Sequence, residues 1–466
     1  MPAETIAMDV KGKRVLVVGL GKSGVASALF LESRGARVTV SDAKSEDQLR
    51  NEIPALLDRG ITVETGKHGE RTFRDQDLIV VSPGVPQDVP PLQHARRLGI
   101  PVIGEIELTA RFLRGHIVAI TGSNGKTTTT TLTGEVIASG GRQTLVGGNI
   151  GTPAITFVEH SSAETWVVLE VSSFQLESIE TFHPHIAAIL NVTPDHLDRH
   201  GSMENYIAAK RRIFENQTAE DYAVLNADNP ITRSMAEGLK PQILWFSRLG
   251  EVERGAFVRD GKIYFRDHRL TEILPLAEIA LKGAHNVENV LAAVAIGMAA
   301  GVEPAAIRRA VKDFRAVEYR LEYVDTLRGV QYFNDSKATN VDATIKALQS
   351  FPANIHLILG GKDKGSDYTE LNPLLAERVK RVYTIGAAAA KIEAQIGSTV
   401  PVTSALTLEA AVRKAADLAV EGDIVLLAPA CASFDQFSSY EERGRIFKSL
   451  VQSLAALHSA SPGGVR

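Results

Sequence analysis

The chain has 466 residues, 44% apolar and 23% charged, the composition of ordinary globular domains, and its length predicts about three of them. Lysine and arginine total 51 against 55 aspartates and glutamates, a net charge of -4, so the charge balance gives no reason for general binding to nucleic acid or to an anionic membrane. One cysteine, Cys431, excludes an intramolecular disulfide and a cysteine-cluster metal site and suits a reducing cytosol.

Residues 1–13 mix acidic and basic side chains around no apolar core of signal-peptide length, so the mature chain is expected to start here. Val15-Leu16-Val17-Val18 reads as a strand and Gly19-Leu20-Gly21-Lys22-Ser23-Gly24 as a turn into a helix that runs to Ser33. Gly35 stops it, and Val38-Thr39-Val40 forms a second strand ending at Asp42. Two ligand classes suit this fingerprint: NAD or FAD, or the diphosphate of another nucleotide on the same helix N-terminus, with Asp42 reaching a ribose hydroxyl or a base N–H. Leu78-Ile79-Val80-Val81 then runs into Ser82-Pro83-Gly84, so an open parallel sheet is expected over residues 1–105.

A new unit, residues 106–316, carries the most informative segment. After the apolar run Ile117-Val118-Ala119-Ile120 comes Thr121-Gly122-Ser123-Asn124-Gly125-Lys126-Thr127-Thr128. A strand, glycines that let backbone N–H groups close on phosphate oxygens, a lysine and a helix-opening threonine imply a nucleoside triphosphate with Mg²⁺. Only Ser123 and Asn124 separate the glycines, where the usual motif has four residues. The run Thr127 to Thr131 is poor helix material by propensity. Glu170, closing the strand-like Val167-Val168-Leu169, stands where a phosphate site takes its Mg²⁺ carboxylate.

His196 and His200 have the i, i+4 spacing of a zinc pair, but Pro194 and the polar surroundings favour a strand-end loop, with His196 a ligand or orienting group at a Mg²⁺-phosphate site. Lys210 lies in an amphipathic helical pattern over residues 206–214, where composition alone reads it as part of a solvated face. Residues 242–281 look strand-rich, and the apolar stretch 290–302 reads as a buried helix, too short to cross a bilayer.

A third α/β unit, residues 317–466, restarts with a strand at residues 330–334, followed by Asp335-Ser336-Lys337-Ala338-Thr339-Asn340. Further strands precede Gly360-Gly361-Lys362-Asp363-Lys364-Gly365 and the segment 429–437. Cations and hydroxyls at strand ends suit carboxylate or phosphate recognition; each segment alone also reads as a surface turn.

Taken together, the 121–128 loop, Gly147-Gly148-Asn149-Ile150-Gly151, and residues 169–177, 335–340 and 430–437 resemble the ATP-dependent Mur ligases of peptidoglycan synthesis. Ser172-Ser173-Phe174-Gln175-Leu176-Glu177 and the 335–340 string point to the D-glutamate-adding members. The resemblance implies an N-terminal Rossmann-like sheet, a central P-loop-type ATPase domain and a C-terminal Rossmann-like α/β domain sharing one cleft, the third closing on the central one. It further implies that ATP phosphorylates the alanyl carboxylate of UDP-N-acetylmuramoyl-L-alanine and that the amine of D-glutamate attacks the acyl phosphate, releasing ADP and phosphate.

By the same carry-over, ATP would meet Gly122, Ser123, Asn124, Gly125, Lys126, Thr127, Thr128, Asn286, Asn289, Arg320 and Asp335. Mg²⁺ would be held by Thr127, Glu170, His196 and a carbamylated Lys210, and Lys126, Glu170, His196 and Lys210 form the implied catalytic set. The UDP-substrate would use Gly21, Asp42, Gly84 and Asn149, and D-glutamate would use Thr339, Lys364, Ser433 and Tyr440. Ala43 replaces an expected hydroxyl residue and Tyr440 a more familiar phenylalanine. A cytoplasmic monomer that neither inserts in a membrane nor binds nucleic acid is expected. Rival readings are a folylpolyglutamate-type amide ligase, which should lack the glycine-rich first domain, a nucleotide-dependent dehydrogenase and a non-enzymatic P-loop switch.

Overall fold

The computed structural model describes residues 8–281, 283–315 and 318–459. By internal contacts these fall into two compact units, one of the described residues up to 192 with 204–278 and 288–313, the other of the described residues within 193–203, 279–287 and from 314 on.

The first unit holds two sheets. The N-terminal one comprises β1 (Arg14–Val18), β2 (Arg37–Ser41), β3 (Thr62–Glu64), β4 (Leu78–Val81) and β5 (Val102–Gly104), all parallel in the order β3-β2-β1-β4-β5. Every residue of β4, and of β1 after its first, is buried, as expected of parallel strands covered on both faces.

The larger sheet takes β6 (His116–Thr121), β7 (Thr144–Gly148), β8 (Trp166–Glu170), β9 (Ile186–Ile189), β10 (Tyr222–Asn226), β11 (Gln242–Ser247), β12 (Gly255–Arg259), β13 (Lys262–Arg266) and β14 (Leu270–Pro275). Its order is β14-β13-β12-β11-β10-β9-β6-β8-β7. Pairing is parallel from β7 to β12, and the last three strands form an antiparallel meander, which agrees with the strand-rich reading of residues 242–281. Helix Ala284–Ala299, as anticipated, has residues 290–296 fully buried.

Helix Lys126–Ser139 departs from propensity: the threonine run is helical throughout. Thr127, Thr128, Thr129 and Thr130 are buried, so packing outweighs the modest cost of β-branching. Gly134 lets the helix approach β7, since a Cβ there would lie 2.3 Å from a Val146 methyl.

Where the N-terminal sheet ends, helix Glu105–Ala110 joins it to the central part of the same unit. Burial opposes ionisation of Glu107, yet N–H groups of Glu180 and Thr181, the Thr181 hydroxyl and Arg111 hold its carboxyl below the usual range. Glu105 accepts the Ile155 N–H at 3.0 Å, but its other oxygen is buried without a hydrogen-bond partner among the described residues, and burial pushes its pKa up to about 7.

The second unit contains β15 (Glu322–Leu327), β16 (Val330–Asn334), β17 (Ile355–Gly360), β18 (Val379–Ile385), β19 (Val402–Leu406) and β20 (Ile424–Leu427), ordered β15-β16-β20-β17-β18-β19. The anticipated restart at Val330 is preceded by an additional antiparallel partner, β15, joined through Arg328 and Gly329, both at positive φ. A two-residue turn of that kind matches the twist of a hairpin. Residues alternate between two cores: Leu357 and Leu359 pack on one face of the sheet, Ile358 on the other. Among the described residues no helix is long and apolar enough to cross a membrane.

Candidate functional site

The loop between β6 and helix Lys126–Ser139 turns on two glycines at positive φ, Gly122 (153°) and Gly125 (83°). A Cβ on Gly125 would lie 2.2 Å from Asn289 Oδ1, so this residue must be glycine for Asn289 to pack against the loop. Asn191, at the end of the strand next to β6, clamps the crest: its Oδ1 accepts the Asn124 N–H (2.9 Å) and its Nδ2 donates to the Asn124 carbonyl (3.1 Å). Ser123 Oγ meets the Tyr206 hydroxyl at 3.1 Å. The Lys126 ammonium donates to the carbonyls of Gly122 and Ser123, both at 2.9 Å, a folded-back pose spanning the loop it would leave to meet a phosphate.

Glu170 is 2% exposed at the end of β8. One carboxylate oxygen accepts from Thr127 Oγ1 (2.9 Å) and the other from Asn149 Nδ2 (2.9 Å). Ser172, not Glu170, caps the short helix Ser173–Leu176. Asn149 stands beside it because the glycine pair before it hugs β8: a Cβ on Gly148 would lie 2.5 Å from the Glu170 carbonyl. A hydroxyl and a carboxylate in contact beside a phosphate-type loop are hard oxygen donors and fit Mg²⁺, which takes only a few protein ligands and fills the rest with water and phosphate oxygens.

Lys210, read from composition as part of a solvated face, is 1% exposed. Its Nζ donates to the Gly122 carbonyl (3.0 Å), lies 3.4 Å from Thr121 Oγ1 and sits 4.6 Å above the Tyr206 ring. Lys126, Thr127, Glu170, Asn149 and Lys210 are thus gathered around one loop. His196 belongs to the second unit, where it is the left-handed (φ 55°) N-cap of the one-turn helix Leu197–His200, with Nε2 3.6 Å from Asp195 Oδ2. The expected strand-end loop therefore closes in a helical turn. Among the described residues no three His, Cys, Asp or Glu side chains cluster in a way that could hold a metal.

The N-terminal glycine loop is built differently. Gly19 (φ 92°) has its carbonyl bound by Ser82 Oγ at 2.8 Å, and Gly24 packs so closely that a Cβ would lie 1.9 Å from that carbonyl. Asp42, expected to face a ligand, has both oxygens engaged by backbone: Oδ2 accepts from Leu20 N (2.7 Å) and Oδ1 from Lys44 N (2.8 Å). Gly21, at the N-cap of helix Lys22–Ser33, and Gly84, after β4, have nothing among the described residues within 4 Å of a Cβ position.

In the second unit Asp335 follows β16 and is buried, which pushes its carboxyl up to about 6 against the opposing charges of Arg320 and Lys337. Asp335 Oδ1 and Arg320 Nε are both buried without a hydrogen-bond partner among the described residues, a ready acceptor and donor. Tyr319 (φ 64°) and Leu321 (φ 41°) put strained backbone on either side of Arg320. Lys364 lies 3.4 Å from Asp195, whose other oxygen accepts from Asn340 Nδ2. The Lys337 ammonium is 4.9 Å from the Tyr440 ring centre. Thr339 is on the loop after β16 and Ser433, buried, on the loop after β20. Asn286 falls in this unit and Asn289 in the first. Asn191, Tyr206 and Arg443 were not singled out from sequence; Asn191 could have been, as a side chain at a strand end flanking the loop.

Parallel sheets with a glycine loop, lysine and strand-end carboxylate define a P-loop-type α/β protein with a Rossmann-like domain ahead of it and another behind. Three family descriptions match in that order: "Mur ligase MurD-like, N-terminal domain" over residues 13–104, "Mur ligase middle domain" over 120–297 and "Mur ligase, glutamate ligase domain" over 319–431. UDP-N-acetylmuramoylalanine--D-glutamate ligase of Koribacter versatilis is 69% identical over 449 residues, covering 96% of this chain and 99% of that protein. The protein of the same name in Acidobacterium capsulatum is 60% identical over 95% of this chain and 97% of its own length. Among solved structures, the UDP-N-acetylmuramate-alanine ligase MurC of Thermotoga maritima shares the fold, with TM-score 0.60 at 20% identity over 95% of this chain and 100% of that chain. This chain belongs to the Mur ligase family.

Proposed function

We propose that the protein is the ATP-dependent ligase that joins D-glutamate to the alanyl carboxylate of UDP-N-acetylmuramoyl-L-alanine, a cytoplasmic, monomeric enzyme of peptidoglycan synthesis. The observation that carries the chemistry is Glu170, bonded to Thr127 on one side and Asn149 on the other, which couples the phosphate loop to the neighbouring loop proposed to meet the acceptor substrate. The substrate assignment is supported by the name of the relative that is 69% identical along almost the whole chain.

In this reading the loop residues 122–128, with the Lys126 ammonium, hold the ATP phosphates, and Asn286, Asn289, Arg320 and Asp335 contact the nucleotide. Thr127 and Glu170 would hold one Mg²⁺, and His196 and a carbamylated Lys210 a second, and such ions would supply charge neutralisation at the transferred phosphoryl group. Gly21, Asp42 and Gly84 serve the UDP end, with Asp42 acting by fixing the Leu20 N–H. Thr339, Lys364, Ser433 and Tyr440 hold the D-glutamate carboxylates and place its amine for attack on the acyl phosphate, which expels phosphate.

ADP release with UDP-N-acetylmuramoyl-L-alanine is the test, run against D-glutamate, L-glutamate, L-lysine and meso-diaminopimelate. Response to D-glutamate alone supports the proposal. Equal response to L-lysine would overturn the substrate while leaving a ligase.

A further inference from the structure

Helix Tyr440–Ser459 carries in its first turn Arg443, a fully buried arginine whose 0% exposure is unusual for a guanidinium. It forms no ion pair among the described residues. Its Nε donates to Ser336 Oγ (3.0 Å) and its Nη2 to the Ser336 carbonyl (2.7 Å), while Nη1 and Nη2 both reach the Cys431 carbonyl at 3.2 Å. A Cβ on Gly361 would lie 3.2 Å from Nη1, so the loop after β17 passes against the same group. The Ser336 hydroxyl donates onward to the Tyr440 carbonyl (2.8 Å), and the Ala430 N–H donates to the Ala338 carbonyl (2.9 Å).

One side chain therefore ties together the loops that follow β16 and β20 and abuts the loop that follows β17. Those loops bear Thr339, Ser433 and Lys364 respectively, and the helix itself begins at Tyr440. Burial lowers the guanidinium to about 10, which leaves it cationic at neutral pH. Burying a charge whose hydrogen bonds go only to carbonyls and a hydroxyl, with Asp435 near enough to act on it only electrostatically, is costly, and a neutral amide would clip two carbonyls for less. A guanidinium instead offers five N–H groups in a rigid plane, together with a positive charge behind loops where a dicarboxylate is proposed to sit.

We infer that Arg443 is a positioning residue for the amino-acid substrate: it locks the 335–340 and 430–437 loops together so that Thr339, Ser433 and Tyr440 present one carboxylate-binding surface. The inference rests on the ligase reading above. Steady-state ADP release from the full-length enzyme, with D-glutamate, ATP and the UDP-substrate each varied in turn, tests it in Arg443→Met, Arg443→Lys and Ser336→Ala.

Arg443→Met should raise KM for D-glutamate by about 10- to 100-fold, the range for hydrogen bonds to a charged group, with the other two KM values within about twofold. Arg443→Lys, which keeps the charge and loses the fork, should fall between it and wild type, and Ser336→Ala should shift the same constant by about threefold. Should Arg443→Met fail to show wild-type circular dichroism, the other two variants decide by the same criterion. An unchanged KM for D-glutamate in the folded variants, or a parallel rise in all three constants, would overturn the inference. Wild-type enzyme with no D-glutamate-dependent ADP release would overturn the ligase reading and this inference with it, before any variant is made.

Discussion

The two glycine loops of the first unit share a scaffold and spend their polar groups in opposite ways. In both, a parallel strand delivers the chain through glycines to a helix N-terminus, the arrangement that aims backbone N–H groups at an anion. In the loop after β1 the surrounding polar side chains are consumed by the loop itself: Ser82 holds the Gly19 carbonyl and Asp42 holds the Leu20 and Lys44 N–H groups. In the loop after β6 the side chains bring charge and metal-binding oxygen, with Lys126 and Lys210 donating to its carbonyls and Thr127 bonded to Glu170. A loop of the first kind suits a ligand that is bound and left unchanged. The second kind suits a phosphoryl group that reacts, because charge must be stabilised as it moves.

The largest effect expected from this difference is at Lys210. Lys210→Ala should abolish turnover, a loss of about 10³-fold or more, and short carboxylic acids should restore part of it if a carbamate is the working group. Assays with and without added acid check this, and full activity of the variant would contradict it. In the first loop, the corresponding disruption is structural. Gly24→Ala places a methyl 1.9 Å from the Gly19 carbonyl and should cost about 3 kcal/mol of stability, read as a lower urea midpoint.

Glu105, on the helix following β5, should set a pH-dependent limit on the stability of the unit that contains both loops. Its pKa of about 7 in the folded protein lies above the ordinary 4.5, so its stabilising contribution is complete below pH 4.5 and is lost as pH rises through 7. Removing it with Glu105→Gln should abolish about 3 kcal/mol of pH dependence between pH 4.5 and 8, measured as the difference between wild-type and variant unfolding free energies across that range.

The smallest stability effect belongs to Gly21→Ala. With φ of -75° and nothing among the described residues within 4 Å of a Cβ, the change should alter stability by less than about 0.5 kcal/mol, so a weaker affinity for the UDP-substrate in a variant of unchanged Tm would report ligand contact directly.

Much of this was legible in the sequence. Buried parallel strands are continuous runs of Val, Ile and Leu, and the glycine spacing marks where each strand turns into a helix, so the alternation and the phosphate loop could be read directly. The helix opened by Thr127 was legible from the motif although propensity speaks against it, and tertiary burial accounts for its forming. Two kinds of feature could not be read. Strand β15 is half exposed at a sheet edge and carries a weak periodic signal. The side chains that organise the loops, Asp42 toward Leu20, Asn191 toward Asn124 and Arg443 toward Ser336 and Cys431, act across 22, 67 and 107 or 12 positions of sequence, where spacing is silent.

Titration calorimetry on Lys126→Ala tests the division of labour between the two loops most directly. UDP-N-acetylmuramoyl-L-alanine should bind the variant with wild-type affinity while the Mg²⁺ complex of a non-hydrolysable ATP analogue loses about tenfold or more. Loss of both affinities together, or retention of the nucleotide with loss of the UDP-substrate, would contradict it.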